Sequence, residues 1–87
     1  MFVILAYDVR AKRVNKVRKT VRKYLRPVQR SVFEGFLSEG KLKRLKQDLK
    51  RHLDCDEDSV RIYKFQTLQE AEVDELGVVT GSDSIVL

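Results

Sequence analysis

Apolar residues along this chain keep two rhythms, one of strands and one of helices, and the points of change are recognisable. Phe2-Val3-Ile4-Leu5-Ala6-Tyr7 is an unbroken apolar run with β-branched and aromatic members, as expected of a central strand covered on both faces. Asp8 ends it. From Lys12 the period becomes helical: Val14, Val17, Val21 and Leu25 recur at spacings of three and four, one stripe that can pack on a sheet. Lys12, Lys16, Lys19 and Lys23 form a second stripe at the same period, with Arg18 and Arg22 beside it. Pro27 is expected to stop this helix, because its ring does not follow a helical residue comfortably. Residues 28–37 read as extended, and their alternation leaves open one strand or a short edge strand turning into a second. Gly35 suits a bulge or a close backbone approach.

Ser38 stands where a helix N-cap belongs, ahead of Leu42, Leu45, Leu49 and Leu53, the buried stripe of a second helix. An acidic turn from Asp54 to Asp58 is expected to end that helix. Val60-Arg61-Ile62-Tyr63-Lys64-Phe65 is a clear strand with Val60 and Ile62 on one face. The remainder changes character: 66–75 is polar and acidic, 76–81 is a loop or short strand, and Ser84-Ile85-Val86-Leu87 is a small apolar run. The division is therefore a core at 1–65 and a C-terminal extension at 66–87. The order strand, helix, extended segment, helix, strand predicts an α+β domain with two helices packed on one face of an antiparallel sheet.

Charge sharpens the picture. The net charge of +5 conceals a strong polarity. Residues 1–53 carry sixteen Lys/Arg against four acids, and residues 54–87 carry two against nine. At least eight cations lie between Arg10 and Arg26 with no acid among them. Like charges one helical turn apart destabilise an isolated helix by a few tenths of a kcal/mol per pair. Keeping them points to an anionic partner, and a polyanion fits best. Membrane binding would need exposed aromatics opposite the charge, and those faces carry the Val and Leu of the core.

The remaining composition excludes several chemistries. Cys55 and His52 are single, which removes disulfide frameworks and cysteine-based zinc sites. No Gly-rich phosphate loop, paired-histidine zinc motif or nucleophile elbow occurs. No apolar stretch reaches the length of about 20 residues that spans a bilayer. The N-terminal apolar run lacks the basic lead and cleavage site of a signal peptide, so a cytoplasmic location is expected. Asp8, at the carboxyl edge of a central strand, has two readings. It either terminates the strand and caps the next turn, or it serves as a ligand. A lone carboxylate holds Mg²⁺ poorly, and a two-fold axis near Asp8 would bring in a second copy. Tyr7 and Phe33 read as aromatic filling, with stacking on bases the other use.

These segments together resemble a known family. The apolar strand ending Tyr7-Asp8 leads to Arg13-Val14-Asn15-Lys16-Val17, then Val28-Gln29-Arg30-Ser31-Val32-Phe33-Glu34-Gly35, then Asp58-Ser59-Val60-Arg61-Ile62-Tyr63. Over residues 2–65 this is similar to the small CRISPR-associated endoribonuclease family, the partner of the CRISPR integrase in spacer acquisition. The resemblance implies a ferredoxin-like fold with a short hairpin after Pro27. It also implies a homodimer in which the C-terminal strand extends the partner's sheet. Two copies of Asp8 would then hold Mg²⁺ for endonuclease cleavage of single-stranded RNA, with Tyr7, Phe33 and more loosely Ser31 at the catalytic site. Many relatives carry further acids after the strand aspartate, whereas Val9-Arg10-Ala11-Lys12-Arg13 here favours phosphate over metal. Arg10, Lys12, Arg13, Lys16, Lys19, Arg22, Lys23 and Arg26 are the expected nucleic-acid contacts, to RNA or duplex DNA. The alternative implied role is a non-catalytic adaptor that bridges integrase dimers.

Overall fold

The computed structural model describes residues 1–67 together with Asp74 and Leu76. The closing apolar run at 84–87, and with it the expected strand exchange between subunits, lies outside the described residues. Six elements follow in order: β1 (Phe2–Asp8), α1 (Ala11–Arg22), β2 (Arg26–Gln29), β3 (Val32–Phe36), α2 (Glu39–Lys50) and β4 (Ser59–Phe65). The sheet order is β2-β3-β1-β4, with β1 antiparallel to both neighbours. This is the ferredoxin-like arrangement, with both helices on one face.

The alternation of β1 divides the sheet into two unlike faces. Val3, Leu5 and Tyr7 point to the helices and are buried with Val17, Val21, Leu42, Leu45 and Leu49 in one cluster. On the other face Phe2 is buried, Ile4 and Ala6 are half-buried and Asp8 is exposed. The expectation of a strand covered on both faces therefore holds on the helix side only within one chain. The register continues this second face through Val32, Glu34 and Phe36 on β3 and Ser59, Arg61, Tyr63 and Phe65 on β4. Phe36 is 63% exposed and Tyr63 45% exposed on it.

The helix ends before Pro27 rather than at it. α1 ends at Arg22 with Lys23 as its C-cap, and turn hydrogen bonds run on to Leu25, whose N–H donates to the Val21 carbonyl at 2.9 Å. Arg26 then opens β2, extended as the residue before a proline prefers. Pro27 itself sits in the edge strand, where its missing N–H costs no interior ladder bond. The segment after it is a hairpin, β2 and β3, which resolves the open choice between one strand and two. A register shift between Pro27 and Gln29 places the irregularity in β2. Gly35 serves the close approach: a Cβ there would stand 3.1 Å from Leu25 Cδ2.

Ser38 caps α2 as expected, its Oγ accepting from the Lys41 N–H at 3.2 Å. α2 ends at Lys50, before the acidic turn, and Leu53 packs against the core from beyond the helix. Where α1 ends, the Tyr24 hydroxyl donates to Asp48 Oδ2 of α2 at 2.5 Å and ties the two helices together. Thr20, buried on α1, satisfies its hydroxyl on the Lys16 carbonyl at 2.9 Å. No helix among the described residues is long and apolar enough to cross a membrane.

Candidate functional site

Asp8 is the last residue of β1, paired with Ser59 of β4, and it projects from the open face of the sheet. Its neighbours of the sequence-predicted site do not share that face. Tyr7 points the opposite way into the core, stacks on Phe33 with ring centroids 6.1 Å apart, and donates its hydroxyl to the Arg30 carbonyl at 3.1 Å. Phe33 is 1% exposed. Ser31 lies in the turn between β2 and β3, and its carbonyl accepts from the Tyr7 N–H at 3.0 Å. These three residues brace the strand end that carries Asp8, through the hairpin and, for Tyr7 and Phe33, through the core beneath the helices.

The basic residues separate into distinct groups. Lys16, Lys19, Arg22 and Lys23 are exposed, and among the described residues none has an ion-pair partner. Lys41, Lys43, Arg44, Lys46 and Lys50 are likewise exposed on α2, so the outer surface of the helix layer is cationic. Arg10 and Lys12 pair loosely with Glu57, at 3.5 and 3.9 Å, and remain largely in solvent. Arg26 leaves the helix stripe altogether: it sits on edge strand β2, paired across the ladder with Glu34.

Arg13 is committed to the fold. Its side chain is 18% exposed, and its fork faces Asp58: Nε donates to Oδ2 at 2.5 Å and Nη2 to Oδ1 at 3.0 Å. Asp58, fully buried at its side chain, also accepts the backbone N–H of Arg10 at 3.0 Å and of Asp54 at 2.9 Å. The Arg13 hydrogen bond, joined by those two N–H donors, holds the Asp58 carboxyl well below the usual carboxylate range against the opposing effect of burial. The same contact pushes the Arg13 guanidinium above its ordinary value. α1 has no side-chain cap of its own and no acid in its first turn. Asp58 supplies both from 45 residues beyond Arg13. Sequence reading places Asp58 in a terminating turn and at the head of the last resemblance segment, but gives it no partner. The available signal is that Arg13 stands four residues before Val17, on the buried stripe, where a cation needs an acid.

Among the described residues no group of three or more His, Cys, Asp or Glu could hold a metal ion. By itself Asp8 offers a single exposed carboxylate at the strand end. That fits a hydrated Mg²⁺, which is bound through one or two carboxylates together with waters and substrate phosphates, provided a second ligand comes from elsewhere.

The arrangement is that of a small ferredoxin-like domain with an aspartate at a strand end and a cationic helix layer. The chain matches the family described as CRISPR associated protein Cas2 over residues 1–73, and it belongs to that family. It is 46% identical over 86 residues to the "CRISPR-associated endoribonuclease Cas2" of Thermotoga maritima, covering 99% of each chain. It is 44% identical over 87 residues to the protein of the same name from Frankia alni, covering 100% of both. Among solved structures, "Crystal structure of cas2" superposes with a TM-score of 0.84 at 39% identity, covering 100% of this chain and 98% of that one. Streptococcus pyogenes Cas2 at pH 6.5 gives 0.77 at 32% identity, covering 88% of this chain and 100% of that one.

Proposed function

We propose that this protein is a homodimeric, Mg²⁺-dependent endoribonuclease of single-stranded RNA that grips phosphodiester backbones and assists a CRISPR integrase in adding spacer DNA. The observation that carries the binding part is the exposed set Lys16, Lys19, Arg22 and Lys23, which has no compensating acid among the described residues. Each such cation releases counterions when it meets a phosphate, a contribution that is independent of sequence. The relatives' names supply the reaction class.

A dimer is supported by the open sheet face. Ile4 and Ala6 are half-buried there and Phe36 and Tyr63 exposed, an apolar character that a second copy would cover. With two copies, Asp8 of each would hold the ion. When bound, the ion neutralises charge on the scissile phosphate and lowers the pKa of a water. The chain's own residues do the rest: Arg10 and Lys12, near Asp8, draw the phosphate in. Tyr7 and Phe33 hold the strand end rigid through the Arg30 carbonyl and their stacked rings.

A second reading is a non-catalytic adaptor whose cationic helix layer supports duplex DNA between integrase dimers; the lone Asp8 carboxylate of each chain favours it. Replacing Asp8 by Asn separates the two. Purified Asp8→Asn protein that cuts RNA with Mg²⁺ as fast as the wild type would end the metal-site account. Asp8→Asn protein that still supports spacer integration would assign the biological role to the adaptor.

A further inference from the structure

One concavity is used neither by Asp8 nor by the Asp58 clasp. It lies between the C-terminal half of α1 and the β2–β3 hairpin, with a volume of about 470 Å³. Small-molecule sites commonly measure about 300–1,000 Å³. Arg18 and Arg22, one helical turn apart, reach it from α1, and Arg30 reaches it from the hairpin turn. Pro27, Val28 and the nearly buried Phe33 give it an apolar floor. No acid lines it. Arg18 and Arg22 repel one another at this spacing, and among the described residues neither they nor Arg30 has an ion-pair partner. The Arg30 backbone is pinned by the Tyr7 hydroxyl, so its guanidinium issues from a fixed point.

We propose that this groove is a nucleotide subsite that seats one unpaired nucleotide of a strand, its phosphate between the three guanidinium groups and its base or sugar on the apolar floor. The inference rests on the nucleic-acid reading above and adds a preference to it. Guanidinium forks match phosphate oxygens bidentately and their planes stack on exposed bases. A base inside a duplex is already stacked on both faces and cannot enter. The groove therefore favours a strand end or overhang over a blunt duplex. It continues directly into the α1 cations through Arg22, which lets the neighbouring phosphates of the same strand follow the helix.

A free nucleoside monophosphate offers the same chemistry, and the test separates the two sources. Fluorescence anisotropy would compare wild type with Arg18→Gln/Arg30→Gln, both sites being exposed and outside the core. The probes are a short 5′-phosphorylated single strand, a blunt duplex and AMP as competitor. The double variant is expected to weaken single-strand binding by about 10-fold or more, with duplex binding changed less than about 3-fold. Amide shifts at Val28–Arg30 should accompany single-strand binding. Equal losses for both probes, or none, would overturn the subsite. AMP competing as well as the oligonucleotide would overturn the strand as its source. Wild type that binds duplex but no single strand defeats the subsite alone; wild type that binds neither defeats the nucleic-acid reading as well.

Discussion

The cationic helix makes a quantitative demand on binding. Lys19 and Arg22 project from α1 into solvent with no acid beside them among the described residues. If each meets one duplex phosphate, each contributes about −0.9 to the slope of log K against log salt. Lys19→Ala/Arg22→Ala should therefore flatten the slope by about 1.8. Between about 50 and 200 mM salt, a fourfold change, that difference amounts to about one log unit. The variant's deficit should be roughly 10-fold larger at the low end than at the high end. Fluorescence anisotropy with three duplexes of unrelated sequence, titrated across that range, reads this directly. The loss should be alike for all three, because backbone contacts carry no sequence information. An unchanged slope, or a loss confined to one duplex, would refute the assignment of these side chains to phosphate.

Other expectations follow from the site and the core. Asp8→Asn should lower Mg²⁺-dependent RNA cleavage by about 100-fold or more, while its thermal midpoint stays close to wild type because Asp8 is exposed; equal cleavage rates would contradict this. The depressed Asp58 carboxyl gives stability that is present above its unfolded value of about 4 and is lost as pH falls below it. Asp58→Asn should therefore be less stable at neutral pH and decline less steeply between about pH 4 and pH 2, as followed by circular dichroism; parallel acid-unfolding curves would show that Asp58 is not the group responsible. Leu45→Ala, at a fully buried position between helix and sheet, should cost about 2–5 kcal/mol in urea unfolding. A cost below ~1 kcal/mol would mean that this core collapses around the lost side chain. Phe36→Asp/Tyr63→Asp, on the open sheet face, should shift the sedimentation of a dimer to that of a monomer; unchanged mass would remove this face as the contact.

Much of this fold is written in local patterns. The leucine stripe of α2 and its serine cap are read from spacing alone, because the cap and the buried face belong to one short segment. β1 and β4 are legible for the same reason. The end of α1 is not. Pro27 is the loudest signal there, yet the chain stops coiling earlier so that Leu25 can enter the core beside Gly35. Asp8 can be placed at a strand end from sequence, and the alternation along β1 already turns Tyr7 to the opposite face. Phe33 follows Leu5 into the core only through the register between β3 and β1, which the sequence does not display. Arg13 counts as one more positive charge until its partner is known, and that partner lies 45 residues away.

That separation bears on how the protein is made. Ribosomal synthesis delivers α1 long before Asp58, so the helix that carries much of the positive surface begins life without an acceptor for its leading N–H group. The acceptor arrives with the first residue before β4, the same strand that completes the sheet by pairing along β1 from Phe2 to Asp8. Helix start and sheet edge are thus secured in one late event. A nascent chain cut off ahead of residue 58 forfeits both at once.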